Sequence, residues 1–387
     1  MTMNFQLAEN SASSIIRRGT LHFSKKNKTI QTPACLTYTL RGSVPHLASD
    51  NLKPLPIEFV QITLEHFLEQ KEAPSFRFPQ GLHTYLHLEN ALLFCDVRDP
   101  YKLSPVSFNT DNHLSVKSHA GIQRITPDIW AEAMRAYRPD VVASMADTIS
   151  DVTIKSKRIP RSVNRTLRWL DENLVQAKKL DIPVFAHLMG HHHPEERARS
   201  AQETAERDVQ GFILNMTDLD PSLLLASIDK LPRDRPRLAY GLSTPERILA
   251  GISHGVDLFD GSYAHQLTLS GHAMVFKFGQ QLAHKTLCLH DPRFAHDFDA
   301  LDSACGCHAC SRHSKAYIHH LLNAHEMLGP ILLMSHNVYQ LEQFMTDVRI
   351  SIQDGSFEEK HARFIQCYSE DQVESLAIPS KNKRTVL

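Results

Sequence analysis

Short apolar runs alternate with segments of helical spacing along most of the chain. The runs are DVVASMA, IPVFAHLM, GFILNM, RLAYGL and VDLFDG, and each follows a stretch with the spacing of a helix. They are continuous and contain β-branched residues, as is typical of strands that are covered on both faces. This order of helices and strands predicts a parallel sheet surrounded by helices.

The same pattern favours a closed barrel over an open sheet. Thr126-Pro127 and Thr244-Pro245 each place a capping residue before a proline that suits the first turn of a helix. No G-x-G-x-x-G follows the first strand, which disfavours a dinucleotide-binding fold. We predict an α/β fold, a (β/α)8 TIM barrel, that forms a single domain over residues 1–387 with a flexible tail over 370–387.

Three of the seven cysteines lie close together near the end of the chain. Cys305, Cys307 and Cys310 precede His336 in the spacing C-x-C-x2-C-x25-H. Three thiolates and one imidazole are a typical ligand set for tetrahedral zinc. Four protein ligands leave no position for water, so such an ion would stabilise the fold and would not act on a substrate. His313 is the alternative fourth ligand, and free thiols without a metal are the other interpretation.

The segment before His336 has the spacing of an amphipathic helix. Its apolar residues are Tyr317, Leu321, Ala324 and Leu328. Gly329-Pro330 is expected to end this helix, and a second apolar stripe follows His336 with Val338, Leu341 and Val348. We therefore predict a zinc-binding helical subdomain over 305–350, in which the ion joins the start of one helix to the start of the next.

The composition of the chain bears on the compartment in which the protein is expected. The net charge is −1, and hydrophobic residues (42%) and charged residues (22%) are close to the averages of globular proteins. The odd number of cysteines suits a reducing compartment, and the sequence has neither a secretory signal nor an apolar run long enough to span a membrane. These features predict a cytoplasmic protein. The triplet His191–His193 favours an exposed loop.

Several motifs resemble the tRNA-guanine transglycosylase family. Besides the cysteine spacing, YGLSTPERILAGISHGVDLFD is similar to a late barrel segment of that family. SRHSKAYIHHLLNAHEMLGPILLMSHN is similar to its helix and zinc-histidine segment. TPACLTYTLRGSVPHL is similar to the first strand and loop of one branch, the accessory subunits of eukaryotes. The resemblance covers roughly residues 15–350.

The resemblance implies a glycosidic exchange on tRNA. Members of the family replace guanine at the wobble position with the queuosine base or its precursor, after the target base has left its stack. A carboxylate attacks the ribose C1′, guanine leaves, and the incoming base displaces the enzyme, as in a retaining glycosidase. The family nucleophile corresponds to Asp260, a second carboxylate to Asp96, and the aspartate that bonds the purine edge to Asp147.

The chain departs from catalytic members around these aspartates. The segment GSYAHQLTLSG after Asp260 lacks the basic residues with which members grip the anticodon loop. Val97 and Arg98 replace a serine and a glycine in the turn after Asp96. Met189 stands where a glutamine reads the base, and NMTDLDPS replaces a glycine-rich stretch. Without these groups a substrate is not oriented, so we expect the aspartates to be vestigial.

A basic segment is the candidate for contact with tRNA. KSKRIPRSVNRTLR contains Lys155, Lys157, Arg158, Arg161, Arg165 and Arg168. Arg161, Arg165 and Arg168 share one face of a helix. Because the whole chain is nearly neutral, contact with nucleic acid has to be local or shared with a partner. A solvated helix face is the alternative.

These observations predict a non-catalytic accessory subunit. It would pair as a heterodimer with a catalytic queuine tRNA-ribosyltransferase subunit, bind tRNA, carry one structural Zn2+ and contact its partner through residues 305–350. A homodimer of the isolated chain and a peripheral location on the mitochondrial outer membrane are further expectations from the resemblance. The alternatives are an active transglycosylase that uses Asp260 as its nucleophile, and a zinc-containing scaffold with no role on tRNA.

Overall fold

The chain divides into two compact units. The computed structural model describes residues 3–11, 14–69, 73–101, 109–149, 157–216 and 220–368. The first unit consists of Met1–Val44 and Ile57–Gly261, and the second of Pro45–Pro56 and Ser262–Leu387. The second unit is thus longer than the subdomain predicted over 305–350, and the tail predicted over 370–387 lies outside the described residues.

The strands and helices of the described residues are as follows. In chain order the strands are β1 (Met3–Leu7), β2 (Gly19–Phe23), β3 (Lys28–Thr32), β4 (Ala34–Leu36), β5 (Phe59–Thr63), β6 (Leu92–Asp96), β7 (Leu114–Ser118), β8 (Gly121–Ile125), β9 (Val141–Ala143), β10 (Val184–Leu188), β11 (Gly211–Asn215), β12 (Arg237–Tyr240), β13 (Leu258–Asp260), β14 (His272–Met274) and β15 (Thr286–Cys288). The α-helices are α1 (Ser49–Leu52), α2 (Leu82–Tyr85), α3 (Pro127–Tyr137), α4 (Arg158–Leu180), α5 (Pro194–Ala205), α6 (Pro221–Ile228), α7 (Pro245–Ser253), α8 (Ser262–Leu269), α9 (His308–Arg312), α10 (Lys315–Asn323), α11 (Leu328–Asp354) and α12 (Phe357–Cys367). Single 3-10 turns occur at Glu9–Ser11, Leu64–Phe67, Pro74–Arg77 and Pro292–His296.

The first unit contains a closed barrel of eight parallel strands in the order β4-β13-β12-β11-β10-β9-β6-β5. The barrel closes between β4 and β5, where Thr37 pairs in parallel with Val60. The Thr37 amide donates to the Phe59 carbonyl at 2.8 Å, and the Gln61 amide donates to the Thr37 carbonyl at 2.9 Å. The predicted (β/α)8 barrel is therefore confirmed.

The amino-terminal end of the barrel is sealed by apolar side chains. The antiparallel sheet β1–β2–β3 contributes Phe23 to the same core cluster as residues at the beginnings of the barrel strands. Phe23 meets Phe59 edge-on at 5.7 Å, and Phe94 and Phe185 continue the stack across the barrel. Polar side chains are left for the opposite end, at the carboxyl ends of the strands, where barrel enzymes place their sites.

The second unit packs helices around the short hairpin β14–β15. The prediction that Gly329-Pro330 ends a helix was wrong, because the preceding helix ends at Asn323 and both residues lie in the first turn of α11. Proline is accommodated there since the first amides of a helix have no intrahelical acceptor. His336 consequently lies inside α11 and not ahead of it. Tyr317 of the predicted stripe is 41% exposed, whereas Val338, Leu341 and Val348 are buried as predicted.

None of the helices in the described residues combines the length and the apolar character needed to cross a bilayer.

Candidate functional site

The four predicted metal ligands come together in the second unit. The ligand atoms of Cys305, Cys307, Cys310 and His336 all lie within 4.8 Å of one another. His336 Nδ1 is 3.8, 3.5 and 3.3 Å from the three sulfurs in that order. A tetrahedron with metal–sulfur bonds of about 2.3 Å and metal–nitrogen bonds of about 2.0 Å has nitrogen–sulfur edges of roughly 3.5 Å. The group can therefore hold a metal ion.

The local backbone aims these ligands at a common point. Cys307 caps α9, and its sulfur accepts from the Cys310 amide at 3.4 Å. The Cys305 sulfur accepts from the Cys307 amide at 3.5 Å. Amide donors of this kind favour thiolates, which are the form that binds a metal. His313 is not part of the group, because its ring stacks on Tyr317 at a centroid distance of 5.5 Å.

The buried imidazole of His336 has only one suitable tautomer for metal binding. Its Nε2 is 2.7 Å from the Met274 carbonyl, which can only accept, so Nε2 carries a proton and Nδ1 is the nitrogen that faces the sulfurs. Burial disfavours the charged ring, but hydrogen bonds to Cys305 and Cys307 outweigh burial and raise the pKa of His336 to about 9, so Nδ1 has to release a proton before its lone pair can bind a metal. Binding of a metal must therefore displace protons.

A second polar group lies at the carboxyl ends of the barrel strands, centred on buried Asp96. Asp96 Oδ2 accepts from the Tyr240 hydroxyl at 2.8 Å and lies 3.1 Å from His187 Nε2, while Oδ1 accepts from the Val97 amide at 2.6 Å. Burial, followed by the Asp96 charge, raises the pKa of Tyr240 well above its usual value, so the phenol remains a donor. The carboxylate is thus satisfied by residues of β10 and β12.

His187 and Tyr240 were not predicted as site residues. The available signal was their position, because each is a polar residue near the carboxyl end of a strand and follows apolar residues. Residues at that end of a barrel strand face the usual site of a TIM barrel. The resemblance to a family pointed to Asp96 but not to the two residues that bind its carboxylate.

Asp147 is fully enclosed by donors from its own chain. Its Oδ1 accepts from Arg158 Nη2 at 2.5 Å and from Asn109 Nδ2 at 2.6 Å, and its Oδ2 accepts from Arg165 Nη1 at 2.5 Å. The side chain of Asp147 has no exposed surface. Arg165 also reaches Asp111 at 2.9 Å. Two arginines predicted to contact tRNA are therefore ion-paired inside the unit.

The other members of the basic segment differ in exposure. Lys157 and Arg161 are exposed at the start of α4. Arg168 is 47% exposed and lies 3.3 Å from Asp111. Lys155 is outside the described residues.

Asp260 is buried at the end of β13, where its Oδ2 accepts from the Gly241 amide at 3.2 Å. Two cavities lie near Asp96 and Met189, with volumes of about 20 Å3 and 40 Å3. A pocket for a small molecule usually has a volume of about 300 Å3 or more. In this arrangement neither cavity holds a purine base.

Comparison with known proteins agrees with this architecture. Residues 12–370 match the model of the family described as queuine tRNA-ribosyltransferase. The chain belongs to the queuine tRNA-ribosyltransferase family. Among its relatives are proteins named queuine tRNA-ribosyltransferase accessory subunit 2 from Xenopus tropicalis and Homo sapiens. The first is 31% identical over 85% of this chain and 91% of the relative. The second is 32% identical over 80% of this chain and 86% of the relative.

Membership of the queuine tRNA-ribosyltransferase family confirms the resemblance inferred from the motifs. A relative of the same name from Ixodes scapularis is 31% identical over 87% of this chain and 94% of its own length. The likeness therefore covers the barrel and the cysteine group together.

A third cluster of titratable groups lies beside the barrel strands β5 and β6. Asp99 Oδ2 accepts from the Tyr38 hydroxyl at 2.7 Å and lies 3.3 Å from His66 Nε2. Glu65 Oε1 accepts from the Asp99 amide at 2.6 Å. Burial outweighs this hydrogen bond and raises the pKa of Glu65 to about 7.

Replacing Cys310 with serine is expected to weaken metal binding at least ~10-fold, because one of four soft ligands is lost. The same variant should unfold at a lower temperature than the wild type, and a strong chelator should lower the wild-type transition in the same direction. Metal content after dialysis and thermal unfolding measure both effects. Cys367→Ser, outside the group, is the control. A wild-type transition that ignores the chelator would contradict the metal assignment.

Glu65 should make the first unit less stable as pH rises. The folded chain keeps this proton up to about pH 7, whereas an unfolded glutamate loses it near 4.5. The folded state therefore binds more protons in this window, and the free energy of unfolding falls from about pH 4.5 to pH 7. The free energy of unfolding of Glu65→Gln, measured relative to that of the wild type, should therefore increase by roughly 2 kcal/mol between pH 5 and pH 8.

Urea unfolding at several pH values measures this difference. Glu172→Gln, an exposed change on α4, is the control and should keep the wild-type pH dependence. Equal pH dependence in Glu65→Gln and the wild type would contradict the raised pKa.

Proposed function

We propose that this chain is the non-catalytic accessory subunit of a heterodimeric queuine tRNA-ribosyltransferase. A catalytic subunit of the same family exchanges guanine for queuine at the wobble position of tRNAs with G-U-N anticodons. The observation that carries this proposal is the enclosure of Asp147 by Arg158 and Arg165. The name of the relatives, accessory subunit 2, supports the same assignment.

The enclosure of Asp147 is costly to undo. A purine could bond to this carboxylate only after at least one arginine had left it. Arg158 is 26% and Arg165 is 13% exposed, so separation would leave a largely buried charge without its partner. Breaking such pairs typically costs several kcal/mol. The carboxylate is therefore committed to the fold and is not available for reading a base.

The carboxylate of Asp96 is committed in the same way. A retaining glycosidic exchange needs a nucleophilic carboxylate, a second acid or base, and room for the sugar and base between them. In this chain Tyr240 and His187 fill the position in front of Asp96. Asp260 keeps its place at the end of β13, which is the observation that favours the alternative of an active enzyme.

Zinc is the proposed ion of the cysteine group. Three sulfurs and one imidazole nitrogen form a soft donor set, and all four positions of a tetrahedron are taken by protein. When bound, the ion supplies cross-linking between the cysteine loop and α11. Cys305, Cys307, Cys310 and His336 would hold it, and no open position remains for substrate.

The interface with the catalytic subunit, predicted over 305–350, is proposed to lie near α10 and to extend to Phe298, just outside that range. Phe298, Tyr317 and Met327 are apolar side chains with 79%, 41% and 82% of their surfaces exposed. The Asp297 and Asp299 carbonyls accept from the Ala316 and Lys315 amides, which places the backbone of Phe298 beside the first turn of α10. Exposed aromatic and Met side chains are enriched at protein interfaces. A homodimer of the isolated chain would use the same surface.

The remaining exposed cations of α4 are proposed to touch tRNA. Lys157 and Arg161 are exposed, and Arg168 is about half exposed. Arg158 and Arg165 are withdrawn from the predicted set because they bind Asp147. The proposed footprint is therefore smaller than the sequence suggested and depends on the partner for most of its charge.

This chain alone should not exchange labelled guanine in tRNA, whereas its mixture with the catalytic subunit should. Asp260→Asn in this chain should leave the exchange rate of the mixture within about twofold of wild type, since the reacting carboxylate is in the partner. The matching Asp→Asn change in the catalytic subunit is the control and should abolish exchange. Robust exchange, or a ribosyl adduct, by this chain alone would support the active-enzyme alternative instead.

Phe298→Asp should weaken the heterodimer at least ~10-fold, because a charge would be buried in an apolar contact. Native mass spectrometry at a series of concentrations measures the change. Ile122→Asp, at an exposed apolar residue of the first unit, is the matched control. The proposed surface is rejected if Phe298→Asp pairs as tightly as the wild type while retaining its metal.

Replacing both Lys157 and Arg161 with glutamate should weaken binding of tRNA to the heterodimer about 10-fold at moderate salt. The slope of log affinity against log salt should become shallower by about 1 to 2, because fewer phosphates are neutralised. Lys178→Glu with Lys179→Glu, at the other end of α4, makes the same change in charge and is the control. An unchanged slope in the first pair would remove α4 from the footprint.

A further inference from the structure

A largely buried ring of three polar side chains lies beside the cysteine group. Lys277 Nζ is 2.6 Å from Asp302 Oδ2 and 3.1 Å from Gln340 Oε1. Gln340 Nε2 closes the ring by donating to the same Asp302 oxygen at 2.9 Å. Lys277 and Asp302 are 21% and 13% exposed, and Gln340 is buried. The hydrogen bonds are charge-assisted and shielded, so the ring holds its three segments firmly.

Each member of this ring adjoins one component of the metal group. Asp302 precedes Cys305 by three residues, and its backbone carbonyl accepts from the Cys305 amide at 3.1 Å. Gln340 is one helical turn after His336 on α11. Lys277 is three residues after Met274, whose carbonyl accepts from His336 Nε2. The ring therefore ties together the loop with the cysteines, the helix with the histidine, and the strand end that orients the imidazole.

Further contacts pass this constraint on to the ligands. Asp302 Oδ1 accepts from the Ala304 amide at 2.9 Å, which sets the turn that leads into Cys305. Asn337, next to His336, accepts from the Met274 amide at 2.9 Å and donates to the His272 carbonyl at 2.9 Å. The strand end is thus bonded to α11 through Asn337 as well as through the imidazole itself. None of these contacts involves a ligand sulfur, so they can form before an ion arrives.

We propose that Lys277, Asp302 and Gln340 are positioning residues that preorganise the metal site. By holding the cysteine loop against α11, they reduce the ordering that the ion must impose, and so they set its affinity and its dissociation rate. The proposal rests on the assignment of a metal to the cysteine group. It adds the residues outside the ligand set that determine how tightly the metal is held.

Asp302→Asn tests this proposal in the full chain. The variant keeps an acceptor for the Ala304 amide but loses the charge that binds Lys277. Zinc affinity, measured by competition with a chromophoric chelator, should fall 10- to 100-fold, with faster release of zinc. The absorption bands of the cobalt-substituted variant should keep the positions and intensities of a tetrahedral site with three sulfurs, because all four ligands remain. Asp299→Asn, an exposed change in the same loop, is the control and should bind zinc as the wild type does.

Two further variants separate positioning from general stability. Gln340→Met preserves volume and leaves the Lys277–Asp302 pair intact, so it should fold and bind zinc several-fold more weakly than the wild type. Lys277→Arg keeps the charge and should retain most of the affinity, whereas Lys277→Met should behave like Asp302→Asn. Variants that unfold at lower temperature yet bind zinc within twofold of wild type would overturn the proposal. A wild-type chain that binds no zinc would instead overturn the metal assignment itself.

Discussion

A carboxylate that is buried at the carboxyl end of a barrel strand must be bonded either by its own chain or by a ligand. Catalytic sites leave that bond to the substrate. In this chain the protein makes it: two arginines of α4 enclose Asp147, and Tyr240 and His187 satisfy Asp96. The low-dielectric surroundings make these pairings hard to exchange for a substrate. These interactions stabilise the mouth of the barrel, and they are the ones on which the proposal of a non-catalytic subunit rests.

Because two arginines bind Asp147, the basic segment exposes less charge than its sequence suggests. The sequence does not distinguish its cations, but only some of them are exposed to solvent. Arg158 and Arg165 neutralise Asp147, and Asp111 neutralises part of the charge that remains. The protein accordingly offers a few exposed cations and not a continuous basic face.

The second unit is held together differently. The cysteine loop, with the short helix α9 that contains Cys310, meets α11 at the ligand group on one side and at the Lys277–Asp302–Gln340 ring on the other. Apolar packing fills the space between, with Ile318, Leu321 and Leu333 in one cluster with the buried cysteines. Phe298 and Met327 remain exposed in this unit.

The sequence by itself determined the barrel, the ligand spacing and the family. Continuous apolar strands and cysteine spacing are patterns among residues that are close in sequence, so they can be recognised without the structure. The prediction that Gly329-Pro330 ends a helix was wrong, because a proline suits the first turn of a helix as well as the residues after one. Only the tertiary structure decided which partner each buried charge takes. Asp96 is bonded by His187 and Tyr240, which are 91 and 144 residues away in sequence, because closure of the barrel brings together strand ends that no local pattern connects. The partners of Asp147 lie on the next helix, but only the folded position of that helix directs Arg158 and Arg165 toward the carboxylate and not toward solvent.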